Sequence, residues 1–160
     1  MNSFVCIMRG PPGLGKTTAI EKLFDACPVD WDLVTVSADF YWHLRNGKWG
    51  TYEFDSKKLG EAHAFCRGMF YSEVVVPHAG LEKGIFVDNT NIKLKDFQWY
   101  IDIAEYFGYD VYQWIPNYLK DAHKLHERNV HNVPLETIQR MLDQIEESPL
   151  EPFRGITEDS

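Results

Sequence analysis

A glycine-rich segment near the start of the chain carries the clearest chemical signal in the sequence. Residues 10–17 read GPPGLGKT, which has the pattern G-x-x-x-x-G-K-T. Glycines at this spacing let backbone N–H groups turn inward around phosphate oxygens, and the helix that follows adds its positive N-terminal end. We expect Lys16 to reach the terminal phosphates of a nucleotide and Thr17 to ligate Mg²⁺. The residues assigned to the nucleotide are Gly13, Leu14, Gly15, Lys16, Thr17 and Thr18.

Two acidic residues each follow an apolar run that is typical of a buried strand. Asp88 ends GIFVD, and an acid at that place commonly holds Mg²⁺ directly or through water. Asp39 ends DLVTVSAD, and a kinase needs such a carboxylate to accept the proton of an acceptor hydroxyl. Either acid could instead cap a turn at the end of its strand. No N-K-x-D guanine signature occurs, which argues against a GTPase.

Strand and helix patterns alternate along the chain, and this order predicts how the loop and the acids are positioned. Apolar runs predict four strands, in SFVCIM, DLVTVSAD, GIFVDNTN and YDVYQWI. Helices are predicted over residues 17–26, from Ser56 onward, and over 93–107, about 118–128 and 134–147, with a loop over 40–55. Such alternation indicates an α/β fold with a parallel sheet of about four strands, helices on both faces and a short helical lid. Ligands of these sheets bind beyond the carboxyl ends of the strands.

The composition indicates one domain and excludes a general nucleic-acid coat. The chain has 160 residues, and we expect a domain over 1–148 with a tail over 149–160. Its net charge of −8 opposes an extended nucleic-acid surface, although a local basic pocket could hold one strand end. The sequence has no run of 18 apolar residues, no secretory leader and no C-x-x-C pair, so we expect a cytoplasmic location without membrane contact.

Some side chains have both a functional and a structural interpretation. Trp42 and Trp49 could stack an unpaired base, worth about 1–3 kcal/mol each, or they could belong to a small core. The core is the favoured interpretation for Tyr52 and Phe54 of the same segment. For His63 a buried, hydrogen-bonded state is favoured, and contact with the acceptor is the alternative.

Three residues on one predicted helix have the spacing of metal ligands. They are His123, His126 and Glu127. No cysteine joins them, so we expect a solvated helix face and no zinc.

Several further blocks follow the glycine loop in the order SADFYW, GTYEFDSKKLGEAHAFC, FVDNTN and ERNVHNVPLETIQRM. Together with that loop they resemble the polynucleotide-kinase-like branch of P-loop kinases. That branch includes the phage-type 5′-polynucleotide kinase domain and related small AAA-type P-loop ATP-binding kinases. The resemblance spans about residues 4–145. It implies a P-loop NTPase three-layer sandwich that uses ATP and Mg²⁺.

The resemblance also implies roles for individual residues. Asp39 would be the general base for a 5′-hydroxyl, with Lys16, Thr17 and Thr18 at the phosphates and Mg²⁺. Arg128 would be an arginine of a lid that closes over ATP, and such a charge is worth several orders of magnitude in phosphoryl transfer.

On the acceptor side, the chain departs from the phage-type pattern. Asn91 would help to shape that side, but the arginine expected three residues after the base is replaced by Trp42. Arg45 is the nearest substitute for it, and His131 stands where the longer lid of the phage-type enzyme carries a second arginine.

We therefore expect a kinase that transfers the γ-phosphoryl group of ATP to the 5′-hydroxyl of a DNA or RNA strand. The alternative acceptors are a hydroxymethyl base in DNA, a nucleoside or a small metabolite. A different class, a non-catalytic ATP-binding module, would have no need of Asp39.

Overall fold

The computed structural model of this protein describes residues 2–44, 51–76, 80–115, 121–128 and 132–155. In chain order, its helices and strands are β1 (Phe4–Met8), α1 (Lys16–Asp25), β2 (Asp32–Val36), α2 (Asp39–Leu44), α3 (Leu59–Val75), β3 (Lys83–Asp88), α4 (Leu94–Tyr106), β4 (Asp110–Trp114), α5 (Ala122–Glu127), α6 (Leu135–Gln144) and β5 (Glu151–Pro152). A single 3₁₀ turn, Ser56–Lys58, precedes α3. Among these residues, no helix is both long enough and apolar enough to cross a membrane.

The sheet is parallel, with the strand order β2-β3-β1-β4-β5. From β1 the chain crosses to β2 at one edge, whereas from β3 it returns past β1 to β4 on the other side. The direction of winding therefore changes between β1 and β3, and a crevice opens at such a switch point beyond the carboxyl ends of the strands. The predicted α/β sandwich is confirmed, with one strand more than the four expected.

The two faces of the sheet bury different side chains because successive residues of a strand point to opposite faces. On β1, Phe4, Cys6 and Met8 belong to the cluster that packs on α1, whereas Val5 and Ile7 belong to the cluster beneath α3 and α4. Every residue of β1 is fully buried. This rigid central strand ends directly at the glycine loop.

A third, smaller cluster connects the lid to the glycine loop. Its buried residues are Leu14, Ala122, Leu125 and Ile138, so α5 and α6 pack on each other and on a residue of the loop itself. Helices α5 and α6, which correspond to the predicted lid, are therefore seated on the glycine loop.

Helix α2 replaces the first part of the loop predicted over residues 40–55. Ser37 Oγ accepts a hydrogen bond from the Asp39 N–H group (3.2 Å), which caps the start of this helix. Trp42 is 2 % exposed and fixes α2 against the core. The start predicted for the next helix also differs, because Asp55 rather than Ser56 is the cap and accepts from Lys57 N–H (3.0 Å).

The segment expected to be a tail from residue 149 contributes β5 to the sheet. Leu150 O accepts a hydrogen bond from Gln113 Nε2 (2.7 Å), and Phe153 N–H donates to Gln113 O (2.8 Å). Phe153 is 6 % exposed and stacks on Phe4 with ring centroids 4.5 Å apart. The fold therefore continues beyond the predicted boundary at 148, while residues 156–160 lie outside the described part of the chain.

Candidate active site

The glycine loop has a backbone that only glycine adopts easily. Gly10, Gly13 and Gly15 have φ angles of +125°, +84° and +88°, in the region that L side chains rarely adopt. A Cβ atom on Gly10 would lie 2.2 Å from Leu14 Cδ2, and one on Gly13 would lie 2.2 Å from Leu125 O. The loop is therefore closely packed on both its own leucine and the lid.

Lys16 lies over the loop, with its ammonium group directed at backbone oxygens. The Nζ atom donates hydrogen bonds to Gly10 O and Pro11 O. Desolvation lowers the pKa of Lys16 to about 8, although the charges of Asp88 and Asp39 oppose this shift. Both carboxylates are therefore near enough to act on the ammonium group.

Asp88 and Thr17 supply the oxygen atoms suited to Mg²⁺. Asp88 is the last residue of β3 and is paired in register with Met8, two residues before Gly10. Thr17 and Thr18 lie exposed in the first turn of α1, and that turn holds no acidic residue. A hydroxyl and a carboxylate are hard ligands that fit Mg²⁺, so Thr17 and Asp88 are the residues that would hold the ion.

Asp39 lies at the same edge of the sheet, one strand further along. It follows β2, whose last residue, Val36, is paired with Val87 of β3. Asn89 Oδ1 accepts a hydrogen bond from Ala38 N–H (2.9 Å), which ties the residue before Asp39 to the end of β3. The backbone that carries Asp39 is therefore fixed to the strand that carries Asp88.

Two residues expected on the acceptor side have buried side chains. Trp42 is buried in the main core, so its ring is not available to stack on a substrate. Asn91 is also buried, and its Nδ2 atom donates to Met8 O (2.7 Å) and Val87 O (3.3 Å). Of the two interpretations of Trp42, the structure therefore supports the core, while the role of Asn91 in shaping the acceptor side stays a prediction.

Tyr52 is a site residue that the sequence did not indicate. Its hydroxyl donates a hydrogen bond to the Asp39 carboxylate, and burial together with that carboxylate raises the pKa of Tyr52 to about 12. Its ring packs against the main core, as expected. Phe54, also expected in the core, is largely exposed although its ring contacts Trp42 edge-on at 5.1 Å.

Arg9, which precedes the glycine loop, is a second residue that the sequence did not indicate. It is 1 % exposed, and its guanidinium donates to Asn91 O (2.9 Å), Gln113 Oε1 (3.1 Å), Ile92 O (3.0 Å) and Glu146 O (2.6 Å). Its Cζ atom also lies 4.6 Å from the centroid of the Phe97 ring. One buried cation thus joins the start of the loop to β4, to the segment after β3 and to the chain leaving α6.

Arg128 caps the C-terminus of α5 and extends toward the loop. Its Nη2 atom lies 3.8 Å from the position of a Cβ atom on Gly15, and its side chain is exposed. The lid thus brings a cation to the loop beside Lys16. The role predicted for Arg128 stays a prediction, with a geometry that suits it.

The remaining candidates are exposed or lie outside the described residues. Arg45, Trp49 and His131 belong to the second group. His63, expected to be buried, is exposed on α3. The three residues with metal-ligand spacing on α5 are also exposed, and no group of potential metal ligands forms within the described ranges.

Comparison with known proteins shows the family. A family model described as AAA domain (AAA_33) matches residues 5–148. NEDD4-binding protein 2 from Homo sapiens is 30% identical in an alignment of 142 residues that covers 86% of this chain but only 7% of that protein. The chain thus spans a small part of this curated relative.

Two solved structures align with this chain, and the first of them shows a related fold. Chaetomium thermophilum Kti12, in complex with ADP-AlF3, aligns with a TM-score of 0.57 at 14% identity and covers 93% of this chain and 88% of that one. Mycobacterium tuberculosis APS kinase CysC aligns with a TM-score of 0.46 at 12% identity, over 89% of this chain and 98% of that one. This chain shares its α/β fold with Kti12, and by the match over residues 5–148 it belongs to the AAA domain family.

Proposed function

We propose that this domain is an ATP- and Mg²⁺-dependent kinase that transfers the γ-phosphoryl group to the 5′-hydroxyl of a DNA or RNA strand. The observation that carries the proposal is the position of Asp39. Its carboxylate lies near enough to Lys16 to limit the fall in the pKa of that ammonium group, on a backbone fixed to the end of β3. A module that only bound the nucleotide would need Lys16 and Asp88 but no second carboxylate.

On the donor side, the residues around the loop supply positive charge and N–H groups. The loop backbone from Gly13 to Gly15 faces the phosphates, and Lys16 and Arg128 neutralise the charge that spreads over the transferring group. Thr17 and Asp88 would hold the Mg²⁺, which would supply further charge neutralisation. Fixed cations of this kind need no rearrangement as the charge develops.

On the acceptor side, Asp39 accepts the proton of the hydroxyl that attacks the γ-phosphorus. The new bond joins that oxygen to phosphorus, the bond to the β-phosphate oxygen breaks, and ADP leaves. The products are a phosphate monoester, ADP and a proton on Asp39, which then passes to solvent. Asp39 therefore acts as general base, a role that requires its side chain to be held toward the acceptor.

A smaller acceptor is the second candidate, and two observations favour it. The net charge of −8 offers little attraction to a long strand, and the burial of Trp42 removes one proposed stacking surface. A nucleoside, a small metabolite or a hydroxymethyl base in DNA would present the same kind of hydroxyl to Asp39.

The test is transfer of label from γ-labelled ATP with Mg²⁺ to a panel of acceptors. The panel holds a 5′-hydroxyl oligo-DNA, the matching oligo-RNA, the same oligonucleotides with a 5′-phosphate, nucleosides and a hydroxymethyl-base duplex. We expect label on the 5′-hydroxyl strands and none on the 5′-phosphorylated controls. Label on nucleosides alone would replace the strand-end proposal with the small-acceptor one, and no label on any acceptor would overturn the kinase proposal.

The Asp39→Asn variant tests the assigned base. We expect it to lose at least about 100-fold in transfer rate, the lower range for removal of a general base, while ATP affinity stays within about twofold. Asp102→Asn is the matched control, because Asp102 is an exposed carboxylate of α4 whose hydrogen bond comes from Gln98 on the same helix. Full transfer by Asp39→Asn would remove Asp39 from the mechanism.

A further inference from the structure

We infer that Tyr52 is a positioning residue for phosphoryl transfer, because its hydroxyl holds the Asp39 carboxylate in the orientation that faces the acceptor. The inference rests on the proposed function and deepens it. It gives a role to Tyr52, which belongs neither to the glycine loop nor to the proposed Mg²⁺ ligands.

The contact joins the start of α2 to a residue thirteen positions later. Asp39 is the first residue of α2, and the phenol of Tyr52 donates its proton to that carboxylate. The ring is held independently of this bond, since it packs on the main core and meets the His43 ring edge-on at 5.3 Å. The backbone beside it is tied to α2 by the hydrogen bond from Glu53 N–H to Trp42 O (3.2 Å). The hydroxyl therefore occupies a fixed point.

The backbone of Asp39 is also fixed, so that its side-chain torsions are what remain to be set. Ser37 Oγ accepts from Asp39 N–H, and Asn89 Oδ1 accepts from the neighbouring Ala38 N–H. A carboxylate on a short side chain still has several staggered orientations on such a backbone. A charge-assisted hydrogen bond from a rigid donor selects one of them.

A phenol suits this task because it gives a hydrogen bond without competing for the acceptor's proton. A carboxylate has two oxygen atoms with four lone-pair positions, so one bond from Tyr52 leaves room for the acceptor hydroxyl. The raised pKa of Tyr52 keeps the phenol protonated across the pH range of any kinase assay. A misplacement of about 1 Å at a reacting group can cost on the order of 100-fold in rate, so this restraint matters for turnover.

The kinetic test compares Tyr52→Phe with Tyr41→Phe. Tyr41 is the matched control because its hydroxyl also donates to a carboxylate, that of Glu61, and its ring belongs to the same aromatic group. We expect Tyr52→Phe to lower kcat on the order of 10-fold with the KM for ATP unchanged, because the base is misoriented and the donor side is intact. Tyr41→Phe should keep the wild-type kcat. Equal losses in both variants, or no loss in Tyr52→Phe, would overturn the inference.

A double variant separates positioning from general structural damage. In the Asp39→Asn background, adding Tyr52→Phe should not lower the residual single-turnover rate further, because the two residues act as one unit. A further loss equal to that seen in the wild-type background would mean that Tyr52 acts through something other than Asp39, and would overturn the inference.

A second readout does not depend on activity. With ¹³C at the tyrosine Cζ atoms, and the signal of Tyr52 assigned by its absence in Tyr52→Phe, the phenol should begin to ionise at lower pH in Asp39→Asn than in the wild type. An unchanged Tyr52 titration would overturn the inference even in an active kinase. A shifted titration in a protein that labels no acceptor would instead overturn the proposed function and leave the contact established.

Discussion

Lys16 shows how a single residue in this site responds to its surroundings. Its ammonium group is removed from water and its pKa falls to about 8, while the charges of Asp88 and Asp39 limit the fall. A phosphate group beside Lys16 would favour the charged form and raise this pKa again. In the free protein, Lys16 is therefore only partly in its charged ammonium form above pH 8. In the nucleotide complex it is fully in that form.

This difference predicts proton uptake when ADP or ATP binds at alkaline pH. At pH 8.5 we expect uptake approaching one proton per nucleotide, and at pH 6.5 almost none from Lys16, because the ammonium is already charged there. Calorimetric titration in buffers of different ionisation enthalpy measures this number directly. The Lys16→Met variant should show no uptake for any nucleotide that it still binds, and equal uptake by both proteins would contradict the assignment.

The sequence predicts which residues take part in the chemistry of the site better than it predicts the contacts between them. Lys16, Thr17 and Asp88 stand in local patterns whose meaning depends only on the neighbouring strand and helix. Tyr52 contacts Asp39, which lies thirteen residues earlier in the chain. Arg9 donates hydrogen bonds to carbonyl groups as far along the chain as Glu146. Such pairings depend on how loops pack in three dimensions, and neither spacing nor composition carries that information.

The lid and the glycine loop act as one packed unit at the level of elements. Leu125 of α5 places its carbonyl oxygen 2.2 Å from where a Cβ atom on Gly13 would be, and Leu14 of the loop is buried in the cluster of the lid. The loop geometry required by the nucleotide is thus supported by α5. A side chain on Gly13 would have to displace that helix.

We therefore expect Gly13→Ala to weaken both the fold and nucleotide binding. The positive φ angle alone costs a non-glycine residue roughly 1–3 kcal/mol, and the overlap with backbone adds to that cost. Gly68→Ala is the matched control, since Gly68 lies within α3 with open space around it and should gain about 0.5–1 kcal/mol. Urea unfolding and nucleotide titration measure both effects. Unchanged stability and affinity in Gly13→Ala would contradict the packing of α5 on the loop.

Elements with a long periodic pattern are predicted well, and short ones are not. Helix α3 buries Ala62, Cys66, Phe70 and Val74 at the expected spacing. Helix α2 has only six residues, too few for its period to be visible, and it forms because Ser37 caps it and Trp42 is buried beneath it. The two residues of β5 likewise have no pattern of their own, and they become a strand only because β4 offers a free edge.

At the scale of the whole molecule, two interactions join the C-terminal segment to the two ends of β1. Arg9, at the loop end of β1, binds Glu146 O, which secures the chain as it leaves the lid. Phe153 packs on Phe4, at the other end of β1. The C-terminal segment therefore returns from Glu146 to the edge of the sheet, where β5 runs parallel to β4, and it is part of the folded domain.

This arrangement predicts that Phe153→Ala strongly destabilises the protein. Phe153 is 6 % exposed among the rings of Phe4, Phe86 and Tyr112, and removal of a buried phenylalanine ring costs about 3–5 kcal/mol. Such a loss is a large fraction of the roughly 5–15 kcal/mol by which domains are stable. Equilibrium unfolding should show a much lower midpoint urea concentration. The dependence of the unfolding free energy on urea concentration should not change.

Two further proteins make this test specific to the C-terminal segment. Tyr106→Ala removes an aromatic ring of similar size that is 83 % exposed, and it should change the free energy of unfolding by no more than about 0.5 kcal/mol. A chain that ends at Ser148 lacks β5 and Phe153 together, so it should be at least as unstable as Phe153→Ala. If that shorter chain instead unfolds at the same urea concentration as the full one, the domain ends at residue 148 and β5 contributes nothing to its stability.

Because Phe4 lies at the end of β1 away from the glycine loop, Phe153→Ala should still bind ATP with near wild-type affinity under conditions where it is folded.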